Sequence, residues 1–162
     1  MFSKIRSLIF KFEPEVAHSL AIKALKYNFV PPKKIPNNKL IETKLFSKII
    51  HNPIGLAAGF DKNAEVYNSI FDLGFGFVEV GTVTPFKQYG NKKPRVFRLE
   101  EDRALINRLG FNNSGSEEVL SKIIKNKPKG LLGINIGPNK DSQNRLEDYL
   151  VCFRKFHNFA DY

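Results

Sequence analysis

The sequence predicts an alternating α/β fold built on a parallel sheet, and two observations support that prediction. Short apolar runs, each ending in glycine or a polar residue, are typical of strands covered on both faces; they are residues 54–58, 77–80 and 131–136. Segments with helical periodicity, residues 64–73 and about 116–125, separate these runs. Strand, helix and strand in succession favour right-handed helical crossovers, and their spacing suits a barrel.

The first thirty residues read as two short amphipathic helices. Apolar side chains recur at helical spacing in the first helix, with lysine and arginine between them: Phe2, Ile5, Leu8, Ile9 and Phe12. Pro14 suits the first turn of the second helix, and Pro31-Pro32 ends it. Two interpretations stay open, because such a pair either lies on a membrane surface or packs on its own domain. No apolar run approaches the roughly 20 residues that span a bilayer, and the signal-peptide pattern is missing.

The hydrophobic content is sufficient for one hydrophobic core, and the net positive charge favours an anionic partner. Of the 162 residues, 42% are hydrophobic, and 26 Lys+Arg against 16 Asp+Glu give a formal net charge of +10. Without a recognised motif or interleaved aromatic and basic residues, this charge does not support nucleic-acid binding. Cys152 is the only cysteine, which excludes an internal disulfide and favours a reducing, cytoplasmic setting. Its apolar sequence neighbours favour packing over nucleophilic chemistry.

Three strand ends carry the candidate site. Residues 33–51 form a polar linker, with a weakly alternating piece at 45–50 that predicts a small hairpin before the first main strand. That strand ends at Lys62, after small residues at 57–59 that let a flat ligand approach the backbone. Thr82 and Asn135 follow the next two strands, and side chains at such carboxyl ends are functional in barrels of this kind. We therefore expect the three to meet on one rim; the alternative for Lys62 is a solvated turn.

A long segment, residues 85–113, interrupts the alternation, and its length indicates a functional loop. Its last seven residues, NRLGFNN, combine amide donors, a guanidinium and an aromatic ring, which suits recognition of a small planar carboxylate. An Asn/Gly-rich turn without a ligand is the alternative. A last helix, about residues 145–160, carries the chain to Tyr162.

Together these segments resemble the quinone-dependent, membrane-associated class of dihydroorotate dehydrogenases. The resemblance rests on NPIGLAAGFDKN, EVGTVTP, GNKKPRVFRL, INRLGFNN and LGINIGPNKD, in this order, and covers essentially the whole chain. The PEVAH phrase ending at His18 resembles the same class, whereas the soluble class has no such extension. Lys87 and Tyr89 stand where prolines are common in the class, which makes that loop less stiff.

The resemblance implies a (β/α)8 TIM barrel that binds FMN, of which this chain supplies the first three to four β/α units. Residues 1–32 would be the membrane-associating and quinone-site helices, 33–51 the linker and barrel-bottom hairpin, and 52–162 the N-terminal half of the barrel. The implied activity is oxidation of dihydroorotate to orotate, through FMN, with a membrane quinone as acceptor, in pyrimidine biosynthesis. No metal is implied.

The resemblance also implies residue roles. Flavin contacts would come from Ala58, Gly59, Phe60, Asp61, Lys62, Thr82 and Asn135. Dihydroorotate contacts would come from Lys62, Asn107, Arg108, Leu109, Gly110 and Phe111. His18 and Arg95 would stand at the quinone passage.

A complete barrel of this kind needs roughly 250 residues, and the part of this chain after the leading helices supplies about half of that number. The catalytic serine and the phosphate-binding loops are expected beyond Tyr162, so the chain alone is expected to be inactive. Expected partners are dihydroorotate, a membrane quinone, an anionic membrane surface through residues 1–30, and a complementary C-terminal half; the expected location is the cytoplasmic face of a bacterial membrane. The competing hypothesis is a non-catalytic half-barrel that binds a membrane or such a complementary half.

Overall fold

The computed structural model describes residues 9–33 and 39–162. The helices of this described part are α1 (Pro14–Lys26), α2 (Tyr67–Asp72), α3 (Ser116–Lys125) and α4 (Arg145–Phe156). The strands are β1 (Thr43–Leu45), β2 (Lys48–Ile50), β3 (Gly55–Leu56), β4 (Phe77–Val83), β5 (Val96–Leu99), β6 (Ala104–Asn107) and β7 (Leu131–Ile136). The first predicted helix, based on residues 2–12, falls largely outside the described residues.

A three-stranded parallel sheet in the order β3-β4-β7 forms the centre of the molecule. Gly55 is aligned with Phe77, and Gly81 with Asn135. Strand β3 pairs over two residues only, although the apolar run predicted five, because Gly59 adopts a positive φ of +105° and the chain turns out of the sheet. The described strands form an open sheet, which corresponds to the first part of the predicted alternation.

The helices differ in how closely they agree with the prediction. Helix α3 and strand β7 begin and end at the predicted residues. Helix α2 starts at Tyr67 instead of residue 64, because the residues before it form turns around the carboxylate of Asp61; Gly74, with φ +104°, comes after its end as predicted. Helix α4 ends at Phe156, four residues earlier than expected.

The long 85–113 segment contains an antiparallel hairpin that the sequence did not predict. Strands β5 and β6 pair from Val96 with Asn107 to Leu99 with Ala104. All four residues of β6 are exposed, so the alternation of buried and exposed positions on which strand prediction depends is missing. The hairpin predicted before the first main strand is confirmed by the pairing of β1 with β2.

The hydrophobic core lies between one face of the sheet and the helices. Val78, Val80 and Leu132 from the sheet meet Val119 of α3 and Cys152 of α4, and all five are fully buried. Burial raises the pKa of the Cys152 thiol to about 11, so the thiol is protonated at neutral pH. The packing role predicted for this cysteine is therefore confirmed.

The last two residues lie along the edge of β7 that β4 leaves free. Asp161 N donates to Leu132 O at 2.8 Å, and Ile134 N donates to Tyr162 O at 3.1 Å. The Tyr162 ring stacks on Phe46 with ring centroids 5.7 Å apart. The chain thus begins to add backbone to the sheet on the side opposite β4.

Candidate functional site

The carboxyl ends of the three parallel strands meet on one rim, as the sequence predicts. The loop after β3 folds across the end of β4, where Gly59 N donates to Gly81 O at 2.8 Å. Thr82, the next residue, donates through its hydroxyl to Asn135 Oδ1 at 2.6 Å. Lys62 Nζ donates back to Gly59 O at 2.6 Å. Lys62, Thr82 and Asn135 therefore belong to one continuous hydrogen-bonded rim.

Asp61, which the resemblance groups with the flavin contacts, has its side chain under the loop rather than on the rim surface. It is 1% exposed, and its carboxylate oxygens accept from Glu65 N and Val66 N, each at 2.8 Å. Its own carbonyl accepts from Gly81 N at 3.1 Å. Burial raises the pKa of this carboxyl, and the two backbone donors oppose that rise. In the structure, Asp61 thus stabilises the loop that carries Lys62.

Lys62 and His18 line a cavity of about 360 Å³ between α1 and the rim. His18 Nε2 lies 2.7 Å from Phe60 O, and the two rings meet edge to face at 5.3 Å. Burial, together with the nearby Lys62 ammonium, lowers the pKa of His18. Burial also lowers the pKa of Lys62, although the Glu15 and Asp61 carboxylates oppose this. Lys62 is thus partly buried, and a partly buried charge attracts an electron-rich ligand more strongly than a fully solvated one.

Arg95 fastens α1 to the 85–113 segment. Its side chain is 7% exposed, and its Nε and Nη2 donate to the two carboxylate oxygens of Glu15 at 3.0 and 2.7 Å. Its Nη1 donates to the carbonyls of Tyr89 and Asn91 at 2.6 and 2.9 Å. Hydrogen bonding from Arg95 lowers the pKa of Glu15. The resemblance implies a place for Arg95 at the quinone passage, and in the structure each of its side-chain nitrogens donates to a protein group.

Arg98, in the same GNKKPRVFRL motif, is a further arginine at this junction that sequence reasoning missed. Its Nη1 donates to the carbonyls of Phe10 and Phe12 at 3.2 and 2.8 Å. The guanidinium also lies 4.7 Å from the centre of the Phe10 ring. The available signal was the second arginine itself, three positions after Arg95 in the same motif.

Residues 107–111 form a turn whose carbonyl groups are held from one side. The carbonyls of Arg108 and Leu109 accept from the side-chain and backbone nitrogens of Asn91, at 2.8 and 3.0 Å. The carbonyl of Gly110 accepts from Gln88 Nε2 at 2.9 Å. Successive carbonyls are thus fixed toward residues 88–91, and the backbone of the turn has one defined orientation.

The side chains of this turn are more open than its backbone. Asn107, Arg108 and Phe111 are exposed. The Arg108 guanidinium, which the sequence suggested for carboxylate recognition, donates to Pro94 O at 3.1 Å and lies 5.8 Å from the centre of the Phe97 ring. Its observed contacts are therefore with the β5–β6 region.

Open space in front of Gly59 gives the rim a surface that a flat cofactor can approach. A Cβ atom built on Gly59 meets no described atom within 4 Å. The exposed Asn135 side chain lies on the same rim, and its Oδ1 accepts from Thr82. A small residue, a lysine and an amide donor at the edge of open backbone fit the donor set that an isoalloxazine ring needs.

Comparison with known proteins agrees with the motifs. Residues 40–162 match the family model for dihydroorotate dehydrogenase. Proteins called dihydroorotate dehydrogenase (quinone) from Rhizobium leguminosarum and Bartonella henselae are 49% and 51% identical to this chain, over 97% of it in each case and over 43% of their own lengths. The crystal structure of DHODH in complex with ferulenol from Eimeria tenella matches with TM-score 0.86 and 40% identity, over 93% of this chain and 42% of that one. The ligand-free structure from the same organism matches with TM-score 0.87 at the same identity. The chain thus spans less than half the length of these relatives.

Proposed function

The chain belongs to the dihydroorotate dehydrogenase family, and we propose that it forms the flavin- and dihydroorotate-facing part of a quinone-dependent enzyme that oxidises dihydroorotate to orotate in pyrimidine biosynthesis. The observation that carries the proposal is the hydrogen-bonded rim that joins Lys62, Thr82 and Asn135 beside the open backbone at Gly59. Because the chain spans 43% of the relatives that it matches, the proposed activity is that of a complete enzyme of this family.

In this proposal FMN is the cofactor, and when bound it supplies the hydride acceptor and the route for electrons to the quinone. Gly59 admits the ring because it has no side chain, and the Thr82–Asn135 pair offers polar groups at the ring edge. Lys62 stabilises negative charge that develops next to it, and its partial burial increases that effect. Phe60 and Ala58 complete the loop against which the ring would lie.

The 107–111 turn is proposed to bind the carboxylate of dihydroorotate. A trans peptide directs its N–H away from its C=O. Since the carbonyls of Leu109 and Gly110 are bonded toward residues 88–91, the N–H groups of the next residues are directed to the opposite side. An array of backbone donors there suits an anion, with Asn107 and Phe111 at the ends of the turn.

The N-terminal segment is proposed to bring the quinone and the membrane to the rim. His18 is kept neutral by its lowered pKa and touches the Lys62 loop through Phe60, which suits contact with an uncharged quinone ring. Arg95 and Arg98 attach this segment to the body. The basic charge of residues 1–30 supports binding to an anionic surface on the cytoplasmic face of a bacterial membrane. Within the described residues, no helix has both the length and the apolar character needed to cross a bilayer.

A second proposal concerns a polypeptide of these 162 residues alone: it acts as a half-barrel that docks on a complementary C-terminal half and is inactive without it. The pairing of residues 161–162 along the free edge of β7 favours this, because it marks where further strand backbone adds. Leu146, Tyr149 and Phe153 are exposed along α4, so this helix also presents an apolar stripe.

The experiment combines this chain with the C-terminal remainder of the Bartonella henselae relative. The expected complex carries the visible absorbance of bound flavin and reduces a dye when dihydroorotate is added, whereas the chain alone does not turn over. Lys62→Met is expected to lower turnover by about 10²-fold or more, since a charge-stabilising donor is lost. Lys129→Met is the matched control, because Lys129 pairs with Asp72 at the far end of the sheet. A coloured complex in which both variants turn over equally would contradict the role proposed for Lys62.

A further inference from the structure

Gln88 connects two loops of the proposed site through the two halves of a single amide. We propose that Gln88 is a positioning residue: it sets the orientation of the 107–111 turn by joining that turn to the loop after β7. The inference rests on the proposed function in one respect, namely that this turn binds the carboxylate of dihydroorotate. Gln88 itself is not expected to touch the ligand.

The donor half of the amide holds the turn. Gln88 Nε2 donates to Gly110 O at 2.9 Å and lies 3.4 Å from Phe111 O. The backbone of Gln88 also pairs with that of Asn113, with N to O distances of 3.0 and 2.9 Å in the two directions. The backbone of Gln88 is therefore fixed to Asn113, just after the turn, while its side chain bonds the turn itself.

The acceptor half of the amide is held by the loop after β7. Gln88 Oε1 accepts from Lys140 N at 2.7 Å and from Asn139 Nδ2 at 3.3 Å. Asn139 is fixed in turn, because Phe86 N donates to its Oδ1 at 3.0 Å and its own backbone N donates to Asp148 Oδ2 at 2.8 Å. The Gln88 amide cannot rotate without giving up bonds on both sides, so its orientation is determined.

The turn needs such support because of its backbone conformation. Gly110 and Phe111 have φ values of +73° and +50°, and the left-handed region is unfavourable for a phenylalanine. Phe111 O is held by Asn113 Nδ2 at 2.8 Å in addition to Gln88. Among the described residues, the N–H groups of Gly110 and Phe111 have no protein acceptor. The bond from Gln88 to Gly110 O therefore decides where the Phe111 N–H points, because the two groups share one peptide plane. The Gly110 N–H is oriented in the same way by the bond from Asn91 N to Leu109 O.

The test uses the isotope-labelled 162-residue chain and three variants. Gln88→Glu keeps the size and the acceptor oxygen but removes both N–H donors, and Gln88→Met removes donor and acceptor together. Gln143→Glu is the matched control, because Gln143 lines the same surface cavity as Gln88, is exposed, and makes none of these bonds. NMR carbonyl and amide signals report the turn and Lys140 separately, and titration with orotate reports the carboxylate site.

We expect Gln88→Glu to move the carbonyl signals of Gly110 and Phe111 while the Lys140 amide stays in place, and Gln88→Met to move all three. Orotate affinity is expected to fall about tenfold or more in both variants, because the backbone donors of the turn lose the orientation in which they bind the carboxylate. It is expected to stay unchanged in Gln143→Glu. Unchanged signals from strand β7 separate this effect from general unfolding.

The two proposals fail separately. Unmoved turn signals in Gln88→Glu, or moved signals with unchanged orotate affinity, would overturn the positioning role. Turn signals that respond as expected, in a chain that does not bind orotate even when the C-terminal half of the Bartonella henselae relative is present, would instead uphold the geometric role of Gln88 and count against the proposed function.

Discussion

The ion pair between Glu15 and Arg95 should decide whether helix α1 stays on the body of the protein. The two side chains are 14% and 7% exposed, and they share two parallel hydrogen bonds across 80 positions of sequence. Glu15→Gln keeps the shape and removes the negative charge, which leaves a buried guanidinium with only carbonyl partners. Removing one partner of such a pair costs more than the pair contributes, because the remaining charge is uncompensated.

The expected magnitude depends on that geometry. Breaking a fully buried pair costs about 3–5 kcal/mol, and the residual exposure of Glu15 together with the surviving bonds of Arg95 reduces this to about 2–4 kcal/mol. This corresponds to about a 30- to 700-fold loss of protection for amides whose exchange requires α1 to detach. Lys93→Met is the matched control: Lys93 lies 3.6 Å from the same carboxylate but is 60% exposed, so its loss should change the free energy by less than about 0.5 kcal/mol.

Hydrogen–deuterium exchange with detection by mass spectrometry measures both variants. In Glu15→Gln, protection should fall in residues 14–26 and stay near the unmodified value in strand β7. Equal losses in Glu15→Gln and Lys93→Met would refute the reasoning from burial. Equal loss in α1 and β7 would show that the pair stabilises the whole fold instead of attaching one helix.

Three further predictions use other parts of the site. Acidification from about pH 7.5 to about pH 5.5 should loosen α1 in exchange experiments, because the fold lowers the pKa of His18 below its ordinary 6.5. The stability that neutral His18 contributes is complete above pH 6.5 and is lost as the pH falls through the lowered pKa. The charges that face His18 are those of Lys62, Asp61 and Glu15. His18→Asn should flatten this dependence. Asn113→Ala should lower the free energy of unfolding by about 2–3 kcal/mol in denaturant titrations, because Asn113 is 5% exposed and its loss leaves buried backbone donors unpaired. Gly59→Ala should cost about 1 kcal/mol through its positive φ, and it should abolish flavin absorbance in the reconstituted complex; retained colour would show that the open space is not the ring site.

Local sequence signals predicted the three parallel strands, the helices and the rim because the physical causes of these features are themselves local. The apolar run of β7 and the amphipathic stripe of α3 fix both elements within ten residues. The convergence of Lys62, Thr82 and Asn135 then results from parallel order alone, since carboxyl ends of neighbouring parallel strands share an edge. The resemblance implies roles for single residues, but a motif does not show which groups each residue contacts.

The connections that hold the site together were not predictable in this way. No periodicity or motif spacing identifies Glu15 or Gln88 as connecting residues, and their partners lie up to 80 positions away in the sequence. Strand β6 escaped prediction for a related reason: its residues are exposed, so burial leaves no pattern in its sequence. Polar side chains that act across loops are specified by the folded geometry, and only coordinates identify them.

Asn91 links the Glu15–Arg95 ion pair to the hydrogen bonds that hold the 107–111 turn. Asn91 accepts from Arg95 through its carbonyl at 2.9 Å, while its side chain and its backbone nitrogen hold the carbonyls of Arg108 and Leu109. The ion pair that attaches α1 and the bonds that orient the 107–111 turn therefore share one short segment of backbone. In the proposed enzyme, quinone would arrive beside α1 and dihydroorotate beside the turn, so a single loop would set the geometry of both. The length of the 85–113 segment is explained on this view, because it must reach the N-terminal helix on one side and the strand rim on the other.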